Sequence, residues 1–538
     1  MKLNEAGLQN KQPWINAGYQ LPKFDREAVK KKTLESPAWI HFGAGNIFRA
    51  FQANVMQQLL NNGEAETGLL VAEGFDYEII EKLNRKVDDY SILVTLKADG
   101  TVEKTVVGSI VGSYVLDRDN DQDFSALKEI FRNPALQMAS FTITEKGYAL
   151  KDPEGNVFPA VLRDFEEGPG KASSYLGKVV SLLYERFTAG ELPIAMVSMD
   201  NCSHNGDKVY EAVNGFARAW EERGLVTSDF VRYVNDRGKV SYPWSMIDKI
   251  TPRPNEKITR ILEADGVEDL DLIVTGRKTF LSEFVNAEES QYLVIEDWFP
   301  NGHPPLEKGG VIFTDRETVD KVEKMKVCTC LNPVHTALAV FGCLLGYELI
   351  ADEMKDPLLN RLAWRVGKTE GLPVVVDPGI LVPSEFLDEV VTKRITNPFM
   401  PDTPQRIATD TSQKLSIRFG ETIKAYLRTD PAKVEKLEAI PLVFAGWIRY
   451  LLGVDDAGKK FEPSADPLLP YLQSHVEGIH LGENRNLEEK IRPLLENETI
   501  FGVNLYDAGL ADKVIGYLKE MLLAEGAVRR TLSRVIGE

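Results

Sequence analysis

Cysteine is scarce in this chain of 538 residues: only Cys202, Cys328, Cys330 and Cys343 occur. Four cysteines cannot build a disulfide scaffold, and neither a CxxC nor an HxxxH pair is present. No structural or catalytic zinc is therefore expected. Basic residues are outnumbered, 63 against 81 acidic, for a formal net charge of −18. That sign argues against a general nucleic-acid binder and against a polybasic membrane-surface protein. Long apolar runs are missing as well. The most apolar stretch, 337–345, is too short to span a bilayer, and Glu348 follows it. Residues 1–13 are polar, without the apolar core of a secretory leader, so cytoplasmic residence is the expectation. There is no internal repeat at a fixed period and no low-complexity tract.

What is present suits an enzyme that handles small molecules. Apolar residues make up 43% and charged residues 27%, enough for real cores, and the length implies two to four domains. The N-terminal half alternates short β-branched runs with amphipathic stretches. Strands are predicted at 38–42, 68–73, 91–96, 138–143 and 194–199, with a helix over 46–60 between the first two. Such alternation implies parallel βαβ units in a doubly wound sheet. From about residue 315 the periodicity turns helical, over 334–350, 357–366, 383–392, 415–427, 433–452 and 511–524, with one strand-like run at 372–376. The loop 297–308 holds Pro300, Gly302, Pro304 and Pro305. The expected fold class is α/β: a Rossmann-type doubly wound sheet over residues 1–295, then a mostly α-helical substrate-binding domain over 296–538.

Where the first strand meets the first helix stands His41-Phe42-Gly43-Ala44-Gly45-Asn46-Ile47-Phe48-Arg49. Gly43 allows a tight turn, and Gly45 lets a pyrophosphate approach the backbone at a helix N-terminus. The third glycine of the usual fingerprint is replaced by Phe48, and an ordinary turn is the plainer reading of a bare glycine pair. The next strand ends near Glu73 and Asp76. A carboxylate there accepts hydrogen bonds from the adenosine ribose and repels a 2′-phosphate, which favours NAD over NADP. Gly168-Pro169-Gly170-Lys171 is not a phosphate loop, because Phe165 and Ala172 stand where that motif needs glycine and Ser/Thr.

A second stretch, Glu323-Lys324-Met325-Lys326-Val327-Cys328-Thr329-Cys330-Leu331-Asn332-Pro333-Val334-His335, gathers groups suited to ketone reduction. That reaction needs a proton donor for the developing alkoxide and donors that stabilise its charge. The plainer reading is a solvated lysine beside a helix whose N-cap and first residue are Asn332 and Pro333, with His335 packed in a core.

Taken together, separated motifs resemble the polyol-specific long-chain dehydrogenases, a family that holds mannitol 2-dehydrogenases and hexuronate reductases. They are Gly43-Ala44-Gly45 with Arg49; Thr142-Ile143-Thr144-Glu145 with Gly147-Tyr148; and Ser198-Met199-Asp200-Asn201 with Asn205-Gly206. Next come Asp248-Lys249-Ile250-Thr251-Pro252; Val294-Ile295-Glu296-Asp297; Lys326 with Asn332 and His335; and Arg394-Ile395-Thr396-Asn397-Pro398 with Asp402, Arg406 and Lys414. The resemblance covers nearly the whole chain. It implies an NAD(P)-dependent oxidoreductase acting on a CH–OH group without a metal. Lys326 resembles the catalytic general acid and base, and Asn201 and Asn332 resemble the amide pair that polarises the carbonyl. His335 and Asp248 resemble groups that hold substrate hydroxyls, Glu323 one that assists proton exchange, and Arg394 and Lys414 substrate contacts. Asn46, Arg49 and Glu145, with Gly43, Gly45, Glu73 and Asp76, fall on the cofactor side.

One departure stands out. The family separates its lysine and asparagine by five positions, whereas Lys326 and Asn332 are six apart. On a regular helix six residues turn about 240°, against about 140° for five, so the two side chains would diverge. A π-bulge or a helix restarting at Asn332-Pro333 would absorb the extra residue, and such an irregularity is predicted. The motif around Asn332 resembles the hexuronate reductases, so the expected reaction is reduction of a keto-hexuronate (fructuronate first, tagaturonate next) to an aldonate. A neutral polyol such as mannitol is the alternative substrate, and a catalytically silent NAD- or sugar-binding regulator the alternative class. The expected partner is a small sugar acid or polyol, with neither nucleic acid nor membrane, and the protein a monomer or small homo-oligomer.

Overall fold

A computed structural model of the chain describes residues 1–482 and 486–537. It divides into two compact units, 1–97 with 101–320, and 98–100 with 321–538.

In the first unit six strands form one sheet: β1 (Trp39–Phe42), β2 (Leu69–Glu73), β3 (Ile110–Val115), β4 (Met138–Phe141), β5 (Ile194–Ser198) and β6 (Val240–Ser241). Their order is β3-β2-β1-β4-β5-β6, with every neighbouring pair parallel. That is the doubly wound order of a dinucleotide-binding sheet, whose direction of winding reverses between β1 and β4. Strands β1, β2, β4 and β5 are buried along their whole length. Their near-continuous apolar runs follow from having both sheet faces covered. The helix predicted after β1 begins with a wide π-helical turn, Phe48–Gln52, and continues as α1 (Ala53–Asn61).

The predicted strand Ser91–Leu96 forms, but in a different sheet. It pairs antiparallel with Val102–Val107 and parallel with Phe284–Glu288. Asp99-Gly100 closes a hairpin straight after it, and a hairpin leaves no room for the crossover helix that a parallel neighbour requires.

The expected boundary at 295/296 cuts through a strand. Tyr292–Glu296 pairs antiparallel with Ser245–Asp248 and parallel with Ile312–Thr314. The proline-rich loop 297–308 therefore lies between two paired strands and is no linker. The division falls within the following helix, α2 (Arg316–Met325).

The second unit is built mainly from helices, among them α3 (Asn332–Leu345), α4 (Ala439–Tyr450) and α5 (Ala511–Met521). All twelve residues of α4 are buried, and it packs against α3 and α5. The run 372–376, expected as strand-like, instead contains a tight 3₁₀ turn, Leu372–Val374, in which Pro373 denies a sheet its backbone donor. By length and composition the helical stretch Arg316–Leu345 would cross a membrane, but its apolar window is 78% buried. Its apolarity serves a protein core.

Candidate active site

The turn after β1 is shaped by two glycines with different duties. Gly43 has φ +110°, and a Cβ there would lie 2.4 Å from the Thr142 carbonyl oxygen just after β4. Only glycine fits that conformation and that approach. Around Gly45, among the described residues and apart from its chain neighbours, no atom lies within 4 Å of where a Cβ would stand. The open space at the topological switch point is a surface that a dinucleotide pyrophosphate fits. Phe48, in place of the third glycine, is buried and stacked on His41, with ring centroids 4.3 Å apart. The His41 ring nitrogens meet the Ser140 and Thr142 hydroxyls at 2.6 and 2.8 Å. Burial pushes the His41 pKa down to about 3, so the imidazole is neutral.

Arg49, expected on the cofactor side, is buried behind the turn. It donates to the Ser282 carbonyl and to Asn46 Oδ1, both at 2.9 Å, and desolvation lowers its pKa to about 10 against the pull of Glu283. It therefore braces the loop from inside, with Asn46 as its partner. Of the two acidic residues at and beyond the end of β2, Glu73 touches the glycine turn: its carboxylate accepts from the Ala44, Phe75 and Asp76 amides at 2.9, 2.7 and 3.1 Å. Burial raises its pKa, and those three amides oppose the rise. Asp76 is buried and accepts from Thr275 Oγ1 at 2.6 Å, so it faces the loop that joins the antiparallel strands Ile273–Val274 and Phe280–Leu281. Glu145 is exposed and paired with Lys208 at 3.0 Å.

Beyond β5, Asp200 ties neighbouring loops together by accepting from the Ile143 and Thr144 amides and from the Tyr148 hydroxyl. Asn201 follows it directly and is exposed. Asp248 ends the strand Ser245–Asp248 and is buried.

In the second unit the predicted irregularity is present. Residues Lys326–Cys330 form a π-helical turn, in which the Leu331 amide donates to the Lys326 carbonyl at 3.0 Å, five residues back. Leu331 then leaves helical geometry (φ −120°, ψ −62°), and α3 restarts at Asn332 with Pro333 in its first turn. This turn is the kind of irregularity expected from the six-residue spacing of Lys326 and Asn332. Asn332 differs from the sequence reading in one respect: Leu331 occupies the cap position, without a side-chain cap bond, and Asn332 is already helical. Lys326 is buried. Glu323, half-buried, stands three residues earlier on α2.

Asn332, His335, Arg406, Ile407, Lys414 and Arg418 line a cavity of about 230 Å³ at the start of α3. His335 is pushed down to about 4, first by desolvation and then by Arg394, Arg418 and Arg406, with Asp402 opposing. Its ring is neutral near pH 7 and available as an uncharged hydrogen-bonding group. Arg406 pairs with Asp402, and Lys414 donates to the Thr409 carbonyl. Arg418 donates to Thr336 Oγ1 at 2.6 Å, and burial lowers its pKa to about 10. Arg394 is buried at the end of another wide turn, Val390–Arg394. Arg418 escaped the sequence reading. Its signal was the spacing from Lys414, four residues in a helical stretch, which puts both cations on one face. Of the residues expected at the substrate site, Asn332, His335 and Lys414 share this cavity, while Lys326, Glu323 and Arg394 are outside its lining. Among the described residues, no group of three or more His, Cys, Asp or Glu side chains gathers in a metal-ligating cluster.

A parallel sheet in this order, with a glycine turn at its switch point and a helical unit after it, defines a Rossmann-type dehydrogenase. The chain belongs to the mannitol dehydrogenase family: residues 37–308 match the mannitol dehydrogenase Rossmann domain, and residues 318–522 match the mannitol dehydrogenase C-terminal domain. It is an oxidoreductase acting on an alcohol group, as its relatives are. The D-mannonate oxidoreductase of Thermotoga maritima is 51% identical over 100% of this chain and 99% of that protein. Among solved structures, Pseudomonas fluorescens mannitol 2-dehydrogenase in ternary complex with NAD and D-mannitol is 26% identical, with a TM-score of 0.68 and full coverage of both chains. A D-sorbitol dehydrogenase in substrate-free form shares the fold at a TM-score of 0.78 and 24% identity, over 99% of this chain and 100% of that one.

Proposed function

We propose that the protein catalyses the NAD-dependent reduction of a keto-hexuronate to an aldonate and, in reverse, the oxidation of D-mannonate. The observation that carries this reading is the 51% identity, end to end, with a D-mannonate oxidoreductase. The cavity at the start of α3 supports it, because Arg406, Lys414 and Arg418 line it beside a neutral His335. A carboxylate substrate gains from such a cluster, whereas a neutral polyol gains little.

A bound nicotinamide dinucleotide supplies the hydride in the direction of reduction. Gly43 and Gly45 open the backbone to its pyrophosphate, and the Glu73 carboxylate beside that turn suits ribose hydroxyls and disfavours a 2′-phosphate. In this proposal Lys326 delivers the proton to the developing alkoxide, and the amides of Asn332 and Asn201 stabilise its charge. His335 and Asp248 hold substrate hydroxyls, Arg394 and Lys414 contact the substrate, and Glu323 relays protons towards Lys326.

The test is a panel of NADH and NADPH oxidation with fructuronate, tagaturonate and fructose. Turnover of fructuronate with NADH, well above the other pairs, is the expected result. Preferred turnover of fructose would replace the reading with a polyol dehydrogenase. NADH binding without any turnover would replace it with a silent regulator.

A further inference from the structure

We propose that Arg418 binds the substrate carboxylate and thereby separates sugar acids from neutral polyols, an inference that rests on the keto-hexuronate reading above. The cations lining the cavity are not equivalent. Arg406 is already paired with Asp402 and is mostly exposed. Lys414 is held by the Thr409 carbonyl, with Asp410 and Asp466 in its field. Arg418 is half-buried, and among the described residues its one polar partner is an uncharged hydroxyl, Thr336 Oγ1, which takes Nη1. Among the described residues, no carboxylate pairs with it and no protein group accepts from its Nε or Nη2.

A guanidinium withdrawn from water without a counter-charge is costly, and the cost is recovered when a ligand supplies the anion. The edge of Arg418 left open matches a carboxylate in the two-pronged geometry that arginine favours. Thr336 follows His335 directly near the start of α3, so adjacent residues of one helix carry the proposed hydroxyl-holding ring and hold the fork. Since His335 is neutral, it does not compete for the anion. The N-terminal end of α3 adds its partial positive charge to the same cavity. Thr336 is thus a positioning residue for Arg418.

The experiment is steady-state kinetics of the full chain with NADH and fructuronate for the wild type, Arg418→Met, Arg418→Lys and Thr336→Val. Arg418→Met is expected to raise the KM for fructuronate about 100-fold, the scale of a charge-assisted pair, with a much smaller change in kcat. Arg418→Lys, which keeps the charge but loses the fork, should raise it about tenfold, and Thr336→Val several-fold. Circular dichroism and thermal melts of the full chain report that each variant is folded. A KM within threefold of wild type in folded Arg418→Met would overturn the assignment while leaving the function intact. Should Arg418→Met not fold, an unchanged KM in Arg418→Lys overturns it instead. If the wild type itself turns over fructose and not fructuronate, the functional reading falls and the role of Arg418 falls with it.

Discussion

Gly43 and Gly45 stand two residues apart in one turn, yet only Gly43 has a positive φ, and only there would a Cβ strike the Thr142 carbonyl. Gly43→Ala should therefore destabilise the first unit by about 2 kcal/mol or more, visible as a lowered Tm. Gly45→Ala should leave Tm nearly unchanged and weaken NADH binding at least about tenfold, because the methyl occupies the space a pyrophosphate needs. Equal losses of Tm in the two variants would contradict this division of duties. Lys326→Ala should cut kcat by about 10³-fold with NADH affinity nearly unchanged, as loss of a general acid implies. Retained turnover would mean that another group moves the proton. His41 makes a pH prediction. Its folded pKa, about 3, lies below the ordinary 6.5, so the unfolded chain takes up a proton that the folded chain refuses. Its contribution is present above pH 6.5 and is lost as pH falls towards 3, at about 1.4 kcal/mol per unit. Wild type should thus lose stability relative to His41→Asn on acidification in denaturant melts; parallel pH profiles would refute it. At this scale the sequence announced local geometry where chemistry and spacing coincide, as in the positive φ of Gly43 and the wide turn that opens at Lys326. For Arg49 the sequence left the direction open, because a basic residue after a glycine turn looks the same whether it faces a phosphate or braces the loop from within.

Among the described residues, wide helical turns recur where the helices carry charge: Lys326 opens one, Arg394 closes another, and Arg418 lies within a third, Ser416–Gly420. Such turns are frequent at functional sites because they re-aim a side chain without ending the helix. Deleting one residue between Val327 and Cys330 should restore a regular register through α2 and α3. Lys326 would then rotate by about 100° relative to Asn332. Circular dichroism should change little, while kcat should fall at least about 100-fold. A deletion variant with full activity would show that the wide turn has no part in aiming the lysine. This irregularity was legible only as a counting discrepancy against the family; apolar periodicity over five residues cannot separate 3.6 from a wider turn. The same limit misplaced Ser91–Leu96, whose β-branched run announces a strand but not the sheet that receives it. The expected domain cut failed because three prolines and a glycine in a loop look like a linker. The partner strand Ile312–Thr314 is too short to register as a run.

At the scale of the whole molecule, the division at 320/321 gives a further test. A fragment of residues 1–320 should be soluble and bind NADH, whereas 1–295 should aggregate, since it ends inside Tyr292–Glu296 and lacks that strand's parallel partner. Equal behaviour of the two fragments would show that the three-stranded sheet contributes nothing to the first unit. The general arrangement, a nucleotide sheet followed by helices, was plain in the sequence because each half keeps one hydrophobic period over many residues.

The cation-lined cavity sits in a protein whose net charge is −18. For an anionic sugar acid the distant field is repulsive and the near field attractive, and salt treats the two differently. At about 0.01 M salt the repulsion reaches about 30 Å into solution, but at 0.15 M only about 8 Å, while half-buried contacts inside the cavity are screened far less. Adding salt over that range should therefore speed the encounter with fructuronate and leave its grip largely intact. The capture rate of the acid would rise relative to that of a neutral ketose, the reverse of what an attractive surface produces. The molecule would then work best at the ionic strength where its own surface has been silenced and its pocket has not.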